Sequence, residues 1–260
     1  MARILVTGST DGLGRASADA LLDAGHRVIV HARSPKRADA VAALVDRGAE
    51  LVVADLADRS AVTDAAAELN AGAAIDAVIH NAGIISGAGL LPVNVVAPYL
   101  LTALLRTPTR HMYLSSSMHR GGAATLDGLD WAGRRATASY SDTKLFVSTF
   151  AAAIAERWAP AVLANSVDPG WVPTKMGGAG APDDFDLGHA TQDWLATDPD
   201  ARVTGGYWHH REQQQPHPAV DDVRFRERLL AALEDATGVA LPAASPAAGP
   251  TSNPTSNPAS

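Results

Sequence analysis

Short apolar runs alternate along the chain with longer segments of helical periodicity. The apolar runs are rich in Val, Ile, Leu and Ala, as buried strands are, and they occupy residues 3–7, 27–32, 50–53, 76–80, 111–114, 161–167 and 202–208. The helical segments occupy residues 15–24, 35–47, 58–70, 93–105, 140–158, 187–196 and 220–236. Strands that alternate with helices predict an α/β fold, in which helices cover both faces of a parallel sheet.

This pattern stops near residue 241. From Pro242 the chain consists mainly of Ala, Ser, Pro, Asn and Gly, and it repeats the sequence Thr-Ser-Asn-Pro. Such a composition cannot bury a core. We therefore predict a single domain, residues 1–241, followed by a disordered tail, residues 242–260.

Composition limits the classes of partner. The 260 residues are 47% hydrophobic, and the net charge of −7 argues against nucleic acid or an anionic membrane as the main partner. The absence of cysteine excludes disulfides, thiol catalysis and cysteine-ligated metals. The chain starts directly with a short strand, and its apolar runs fall short of the roughly 20 residues that span a bilayer. We therefore expect a cytoplasmic protein.

Tyr140 and Lys144 stand at the head of the predicted helix at residues 140–158. Their spacing of four places both side chains on one helix face. A phenol has an ordinary pKa of about 10, and a nearby ammonium is expected to lower it. The pair therefore predicts a proton donor or acceptor, although an exposed Tyr and Lys on a surface helix would show the same spacing.

Three glycines, Gly8, Gly12 and Gly14, lie between the first strand and the first helix in a G-x-x-x-G-x-G spacing. A turn of this kind lets the backbone approach a pyrophosphate, which then lies at the helix N-terminus. Glycines also occur in ordinary turns, because they adopt conformations that other residues avoid. The dinucleotide interpretation therefore depends on the position of these glycines between a strand and a helix.

The polar signals follow strand ends, where open α/β sheets bind ligands. In chain order they are Thr7-Gly8-x-x-x-Gly12-x-Gly14, Asp55, Asn81-Ala82-Gly83, Asn94, Ser116, Tyr140-x-x-x-Lys144 and Pro169-Gly170. Together they resemble the motifs of the short-chain dehydrogenase/reductase family over about residues 2–240, which implies a Rossmann-like, doubly wound sheet. The stretches 129–131 and 205–208 further resemble the retinol-dehydrogenase-like branch, which includes bacterial carbonyl reductases.

The resemblance implies an oxidoreductase that reduces a ketone or aldehyde to the alcohol, or catalyses the reverse reaction. Tyr140 would be the general acid or base, and Lys144 would lower its pKa and bind the nicotinamide ribose. Ser116 would bind the substrate oxygen, where negative charge develops, with its two neighbouring serines as rivals. Asn94 would support a backbone bend and hold a water of the proton relay.

The resemblance also implies a cofactor site, made of Gly8, Thr10, Asp11, Gly12, Leu13, Gly14, Arg33, Asp55, Leu56, Asn81, Ala82, Gly83, Tyr140, Lys144, Pro169, Gly170, Val172 and Thr174. Ala32 stands where NAD-selective members carry an acid, and Arg33 follows it. A guanidinium can pair with a 2′-phosphate, so we expect NADP(H) rather than NAD(H), with Arg15 and Ser34 as further candidates for the phosphate pocket. The alternatives for Arg33 are a solvated turn residue and stacking on adenine.

Two features depart from the family pattern or add to it. Only residues 84–93 separate Gly83 from Asn94, which is shorter than usual. This shortening removes the leading turns of a helix that commonly packs subunits together. The sequence therefore decides neither whether the protein is a homo-oligomer nor how the wall of the substrate cleft is built. The segment 171–200 carries Trp171, Met176, Phe185 and Trp194, a mixture that favours an apolar, small-molecule carbonyl or alcohol substrate, although loops that pack on a core look the same.

Three alternatives to a carbonyl oxidoreductase fit the sequence less well. His209 and His210 are adjacent and point to opposite sides of a strand, so they predict no metal site, even with His217 nearby. A non-catalytic dinucleotide-binding sensor or scaffold would need only the glycine turn, whereas this chain also carries Ser116, Tyr140 and Lys144. Sugar-nucleotide epimerases and dehydratases usually show G-x-x-G-x-x-G and a larger substrate domain.

Overall fold

The computed structural model describes residues 1–106 and 108–243, which form a sheet with helices on both faces. The strands are β1 (Arg3–Val6), β2 (Arg27–Ala32), β3 (Glu50–Val53), β4 (Ala77–His80), β5 (Arg110–Leu114), β6 (Leu163–Asp168), β7 (Tyr207–His209) and β8 (Glu212–Gln214). Their order in the sheet is β3-β2-β1-β4-β5-β6-β7-β8, parallel from β3 to β7, with β8 antiparallel to β7. The predicted α/β fold with a doubly wound parallel sheet is confirmed.

The α-helices of the described residues are α1 (Gly12–Asp23), α2 (Pro35–Ala38), α3 (Ala42–Asp46), α4 (Arg59–Ala71), α5 (Ala97–Leu104), α6 (Tyr140–Trp158), α7 (Phe185–Thr197) and α8 (Val223–Thr237). A π-helical turn, Pro92–Val96, leads directly into α5. Two apolar clusters form the core. One packs α4, α5, α6 and α8 on one face of the sheet, and the other packs α1, α3 and α7 on the opposite face.

Two predicted elements differ from the structure. The helix predicted at residues 35–47 is broken between α2 and α3. At the break, the Ala40 carbonyl accepts a hydrogen bond from the guanidinium of Arg15 on α1. The strand predicted at residues 202–208 is regular only in β7. Before it, the Asn165 side chain donates to the Val203 carbonyl (2.8 Å) and accepts from the Gly206 N–H (3.0 Å), so side-chain bonds replace part of the ladder.

The hairpin that ends the sheet is absent from the prediction. His210 and Arg211 connect β7 to β8 with φ values of 47° and 65°. Two positive values suit a tight hairpin turn, but such turns usually carry Gly, Asn or Asp, and these residues are not among those types. The sequence therefore contains no turn signal at this position.

The predicted domain boundary lies close to the last contacts of the described chain. Leu241 is buried, and the carbonyl of Pro242 accepts a hydrogen bond from the Trp158 indole at 3.3 Å. Most of the predicted tail, residues 244–260, lies outside the described residues. No helix in the described part of the chain has the length and apolar character needed to cross a membrane.

The strand order reverses between β1 and β4. At such a point the two neighbouring crossover connections lie on opposite faces, which opens a crevice at the carboxyl ends of the strands. The glycine turn after β1, Asp55 beyond β3, Asn81 after β4 and Ser116 after β5 all follow strand ends at this edge. The fold thus gathers the polar residues that are far apart in the sequence.

Candidate active site

The glycine turn connects β1 to α1 in a conformation that requires glycine. Gly8 and Gly12 have φ values of +70° and +52°, which residues with a side chain rarely adopt. Asp11 caps α1, because its carboxylate accepts the Gly12 N–H at 2.9 Å. Buried His31 supports the turn: Nδ1 accepts from the Gly8 N–H at 3.0 Å and Nε2 lies 2.8 Å from the Ala54 carbonyl. Sequence analysis did not identify this role of His31.

Gly14 and Asn81 hold α1 and β4 against the end of β1. The Asn81 amide donates to the Thr7 carbonyl at 2.9 Å, and the Ala82 N–H donates to the Thr7 hydroxyl at 3.0 Å. A Cβ atom on Gly14 would lie only 2.5 Å from the Gly8 carbonyl oxygen and would also overlap the Asn81 amide. Gly14 therefore permits close packing behind the turn, and this differs from the direct cofactor contact predicted for it.

We expect Gly14→Ala to destabilise the fold. The added methyl group has no space between the Gly8 carbonyl and the Asn81 side chain, and overpacking of this kind costs about 1–3 kcal/mol. For a domain of this size, that corresponds to a fall in Tm of roughly 2–12 °C. The matched control is Gly180→Ala, since the described atoms leave open space around the Cβ position there. Equal melting temperatures for the two variants, measured by circular dichroism, would contradict the packing role of Gly14.

Two arginines mark the end of the crevice beyond β2. Arg33 is exposed, and Arg37 on α2 is half-buried. Arg37 donates to the Thr10 hydroxyl at 3.1 Å and lies 4.0 Å from the Asp11 carboxylate. The expectation that Arg15 joins this group is not met, because its guanidinium binds Ala40. Sequence analysis missed Arg37, which lies four residues beyond Arg33 at the spacing of one helical turn.

A segment that we call the lid, residues 171–178, lies over the glycine turn. Lys175 forms an ion pair with Asp11, and this contact lowers the pKa of that carboxyl. The Trp171 indole donates to the Gly177 carbonyl at 2.8 Å, and the Thr174 hydroxyl accepts the Gly177 N–H at 3.1 Å. These internal bonds give the lid a defined shape above the crevice.

The three serines after β5 have different surroundings. The Ser115 hydroxyl is buried 2.6 Å from the Ser148 hydroxyl, within the packing against α6. Ser117 is exposed. The Ser116 hydroxyl accepts the Met118 N–H at 3.2 Å, and it lies close enough to Tyr140 to oppose the rise in that residue's pKa. Of the three, Ser116 therefore lies beside the predicted proton donor.

Tyr140 and Lys144 lie on the first turns of α6, which begins with a capping box made by Ser139 and Asp142. Lys144 is 5% exposed; its Nζ donates to the Leu114 carbonyl at 2.6 Å and lies 5.4 Å from the centre of the Tyr140 ring. Burial lowers the pKa of Lys144 to about 8.

Burial also raises the pKa of Tyr140 to about 12, with the Ser116 hydroxyl opposing the rise and the Asp168 carboxylate adding to it. This direction is opposite to the effect of Lys144 that we expected from the sequence. The reason is that desolvation of the phenolate outweighs any attraction from an ammonium group that is itself buried and bound to a carbonyl. Tyr140 is therefore protonated at neutral pH.

Asn94 lies in the π-helical turn and is 2% exposed. Its amide nitrogen donates to the Ile84 carbonyl (2.9 Å) and to the Thr143 hydroxyl (3.0 Å), and its oxygen accepts the Ile84 N–H (2.9 Å). Both amide hydrogens are thus used to fix the start of the shortened segment 84–93 against α6. The side chain therefore holds this segment against α6, and its amide hydrogens are committed to protein partners.

A single cavity of about 810 Å³ joins these features. The predicted site residues that line it are Gly8, Thr10, Asp11, Gly12, Leu13, Arg33, Asp55, Leu56, Asn81, Ala82, Gly83, Ser116, Tyr140, Lys144, Pro169, Gly170, Val172 and Thr174. Among the described residues, Gly14 and Asn94 are not part of the lining, since each packs behind it. Asp55 is exposed at the lining and accepts the Ala57 N–H at 2.9 Å, so it also forms a local turn.

The cavity is apolar in part. Four side chains that line it remain largely exposed: Ile85 (52%), Met118 (52%), Trp171 (59%) and Met176 (45%). Two aromatic residues that we assigned to the same region have other surroundings. Trp194 packs edge-to-face on Trp208 at 5.4 Å, and Phe185 begins α7, so neither belongs to the described lining.

His209 and His210 stack on each other with their ring centres 3.8 Å apart. Within the residues that the structure describes, no group of three or more His, Cys, Asp or Glu residues is placed so that it could hold a metal ion.

Comparison with known proteins identifies the family. A family model described as short chain dehydrogenase matches residues 2–103. The short-chain dehydrogenase chyC of Penicillium rubens is 38% identical over 259 residues, which cover 94% of this chain and 100% of that protein.

Solved structures share the fold. A protein from Mycobacterium paratuberculosis has a TM-score of 0.76 at 24% identity and covers 93% of this chain and 95% of its own. A short chain dehydrogenase from Shigella flexneri, complexed with NADP, has a TM-score of 0.66 at 21% identity, covering 81% of this chain and 97% of its own. The chain belongs to the short-chain dehydrogenase/reductase family, whose members are oxidoreductases that bind NAD(P) and act on CH–OH or C=O groups.

Proposed function

We propose that this family member is an NADP(H)-dependent reductase of an uncharged, largely apolar ketone or aldehyde. The observation that carries the proposal is the single cavity, because it connects the glycine turn and two arginines at one end with Ser116, Tyr140 and Lys144 at the other. A non-catalytic sensor would have no need for the second set of residues.

The residues at the first end suit a phosphorylated dinucleotide. The N-terminus of α1 faces the cavity through Gly12 and Leu13, and the positive end of a helix dipole favours a pyrophosphate. Arg33 and Arg37 line the same cavity beyond β2, where no carboxylate follows the strand. Asp11 lies nearby, but its charge is compensated by Lys175 and Arg37, so it opposes a 2′-phosphate less than a lone carboxylate would.

The chain's own residues supply the acid chemistry. Bound NADPH supplies the hydride. Tyr140 is protonated at neutral pH and would donate its hydroxyl proton to the carbonyl oxygen as negative charge develops there. Ser116 would donate a hydrogen bond to the same oxygen, and Lys144 would hold positive charge close by.

The apolar part of the cavity limits the class of substrate. Ile85, Met118, Trp171 and Met176 are exposed to solvent, and covering such side chains with an apolar ligand is favourable by about 25 cal/mol per Å². Lys175 also lines the cavity, but it is paired with Asp11 across the glycine turn. Among the described residues that line the cavity, Lys144 is the other lysine, and its Nζ donates to the Leu114 carbonyl. We therefore expect the site to favour neutral carbonyl compounds.

A carbonyl panel tests the proposal. Purified protein is mixed with NADPH and with paired substrates of similar size, one neutral and one carrying a carboxylate, and the loss of absorbance at the reduced-nicotinamide band is recorded. We expect turnover of neutral aryl or polycyclic ketones and much lower kcat/KM for the carboxylated partners. Tight NADPH binding without turnover of any carbonyl would support the sensor, and a preference for the charged partners would contradict the substrate class.

A further inference from the structure

Asp168 is a buried carboxylate at the end of β6 that the proposed reaction does not use. One carboxylate oxygen accepts the Gly170 N–H at 3.0 Å, and the other accepts the Tyr207 hydroxyl at 2.8 Å. Both donors are neutral, so they fix the position of the carboxylate without cancelling its charge. A buried charge of this kind acts strongly on other groups nearby, because little water screens it.

The fold places Asp168 next to the catalytic pair. β6 lies beside β5, where Leu114 pairs with Val167, the residue before Asp168. The Leu114 carbonyl is the acceptor of Lys144 Nζ, at 2.6 Å. The two strands therefore bring the ammonium and the carboxylate to adjoining strand ends. The negative charge of Asp168 raises the pKa of both Lys144 and Tyr140, against burial for the lysine and together with burial for the tyrosine.

Other titratable groups face Asp168 from β7, where the His209 ring lies 4.0 Å from the carboxylate. Within the described residues, His209 is the one basic side chain within 4.0 Å of the Asp168 carboxylate, and the same ring nitrogen lies 3.2 Å from the Asp168 backbone carbonyl. Tyr207 is protonated, since burial and Asp168 raise its pKa.

Further groups approach from the turn that follows β5. His119 packs on the Tyr207 ring at 4.4 Å, and burial lowers its pKa. Its ring accepts the His217 N–H at 3.0 Å. The Arg120 guanidinium lies 5.2 Å from the centre of the Tyr207 ring, and it donates a hydrogen bond to the Gln215 carbonyl. The charge of Asp168 thus acts on Tyr207 and His119 as well as on the catalytic pair.

We propose that Asp168 is a positioning residue that keeps Lys144 in its protonated form beside Tyr140, where the ammonium group would stabilise the negative charge that develops during carbonyl reduction. The proposal rests on the proposed function, in which Tyr140 donates a proton. A fixed negative charge opposes the loss of a proton from a nearby ammonium group.

The decisive experiment measures Lys144 directly. The chain has three lysines, Lys36, Lys144 and Lys175, so protein made with 13C-labelled lysine side chains gives a simple NMR spectrum, in which Lys144→Met identifies one signal. We expect the Lys144 signal to titrate at about pH 8. In Asp168→Asn the midpoint should fall by roughly one pH unit, the effect of losing a nearby opposite charge. The Lys36 signal should not move between the two proteins.

Kinetics then connect the titration to the reaction. The alkaline limb of kcat/KM for carbonyl reduction should shift to lower pH in Asp168→Asn by the same amount as the Lys144 midpoint. An unchanged midpoint overturns the role of Asp168, even where activity falls. A shifted midpoint with an unmoved limb leaves the electrostatic role of Asp168 in place and contradicts the use of Lys144 in the proposed function.

Tyr207→Phe is the matched control, because it removes the hydrogen bond to Asp168 and keeps the charge. We expect no fall of the Lys144 midpoint in this variant, and an equal fall in both variants would assign the effect to local disorder, which overturns the proposal. If Asp168→Asn does not fold, Asp168→Ser carries the same expectation.

Discussion

Tyr140→Phe is expected to bind NADPH as the unmodified protein does and to lose nearly all turnover. The ring still packs on α6, but the proton that would be transferred to the substrate oxygen is gone. General acid catalysis contributes about 10²- to 10⁴-fold to a rate. We therefore expect kcat to fall by at least a hundredfold, measured under saturating NADPH with the best ketone of the panel.

The surroundings of Tyr140 define the control for this variant. Ser117→Ala changes an exposed hydroxyl on the same turn as Ser116, and we expect it to keep most of the activity. A Tyr140→Phe protein that retained more than about a tenth of kcat would have lost less than roughly 1.4 kcal/mol of barrier, and Tyr140 could not then be the acid.

Arg33→Ala is expected to abolish most of the preference for NADPH over NADH. Arg33 and Arg37 line the end of the cavity where a 2′-phosphate would lie, and a hydrogen bond to a charged group contributes about 1.5–3 kcal/mol. The KM for NADPH should therefore rise roughly ten- to hundredfold, while kcat/KM with NADH changes little. Arg37→Ala should act in the same direction, with an added loss of the bond to Thr10.

Arg15→Ala provides the matched control for cofactor preference. It removes an arginine on the first turn of α1, whose guanidinium binds the Ala40 carbonyl. We expect its ratio of kcat/KM values for the two cofactors to stay at that of the unmodified protein. Equal kcat/KM for NADPH and NADH before any substitution would contradict the phosphate assignment altogether.

Much of the fold followed from local patterns. The predicted bounds of β2, β3 and α6 agree with the structure, because apolar runs there end at Gly, Asp or a capping box. Prediction failed where contacts between distant residues decide the backbone. The Asn165 side chain replaces part of a ladder before β7, and the turn at His210 carries none of the usual turn residues.

The order of motifs along the chain predicted which residues meet at the strand ends, but not how they interact there. The ion pair between Lys175 and Asp11 joins residues 164 positions apart, and no local pattern announces it. The pKa of Tyr140 depends on burial, which reverses the direction that spacing alone implied. Spacing shows which groups are neighbours, whereas burial determines which of their charge states is stable.

β8, which pairs with β7 at one edge of the sheet, affects how the protein behaves at high concentration. Unpaired backbone at the edge of a sheet can accept a strand from another molecule, and short strands with polar side chains discourage this. β8 is three residues long and reads Glu-Gln-Gln, and the opposite edge strand, β3, begins with Glu50 in ion pairs with Arg3 and Arg27. Both borders of the sheet therefore resist edge-to-edge aggregation, which should keep the protein dispersed at the concentrations that crystallisation requires.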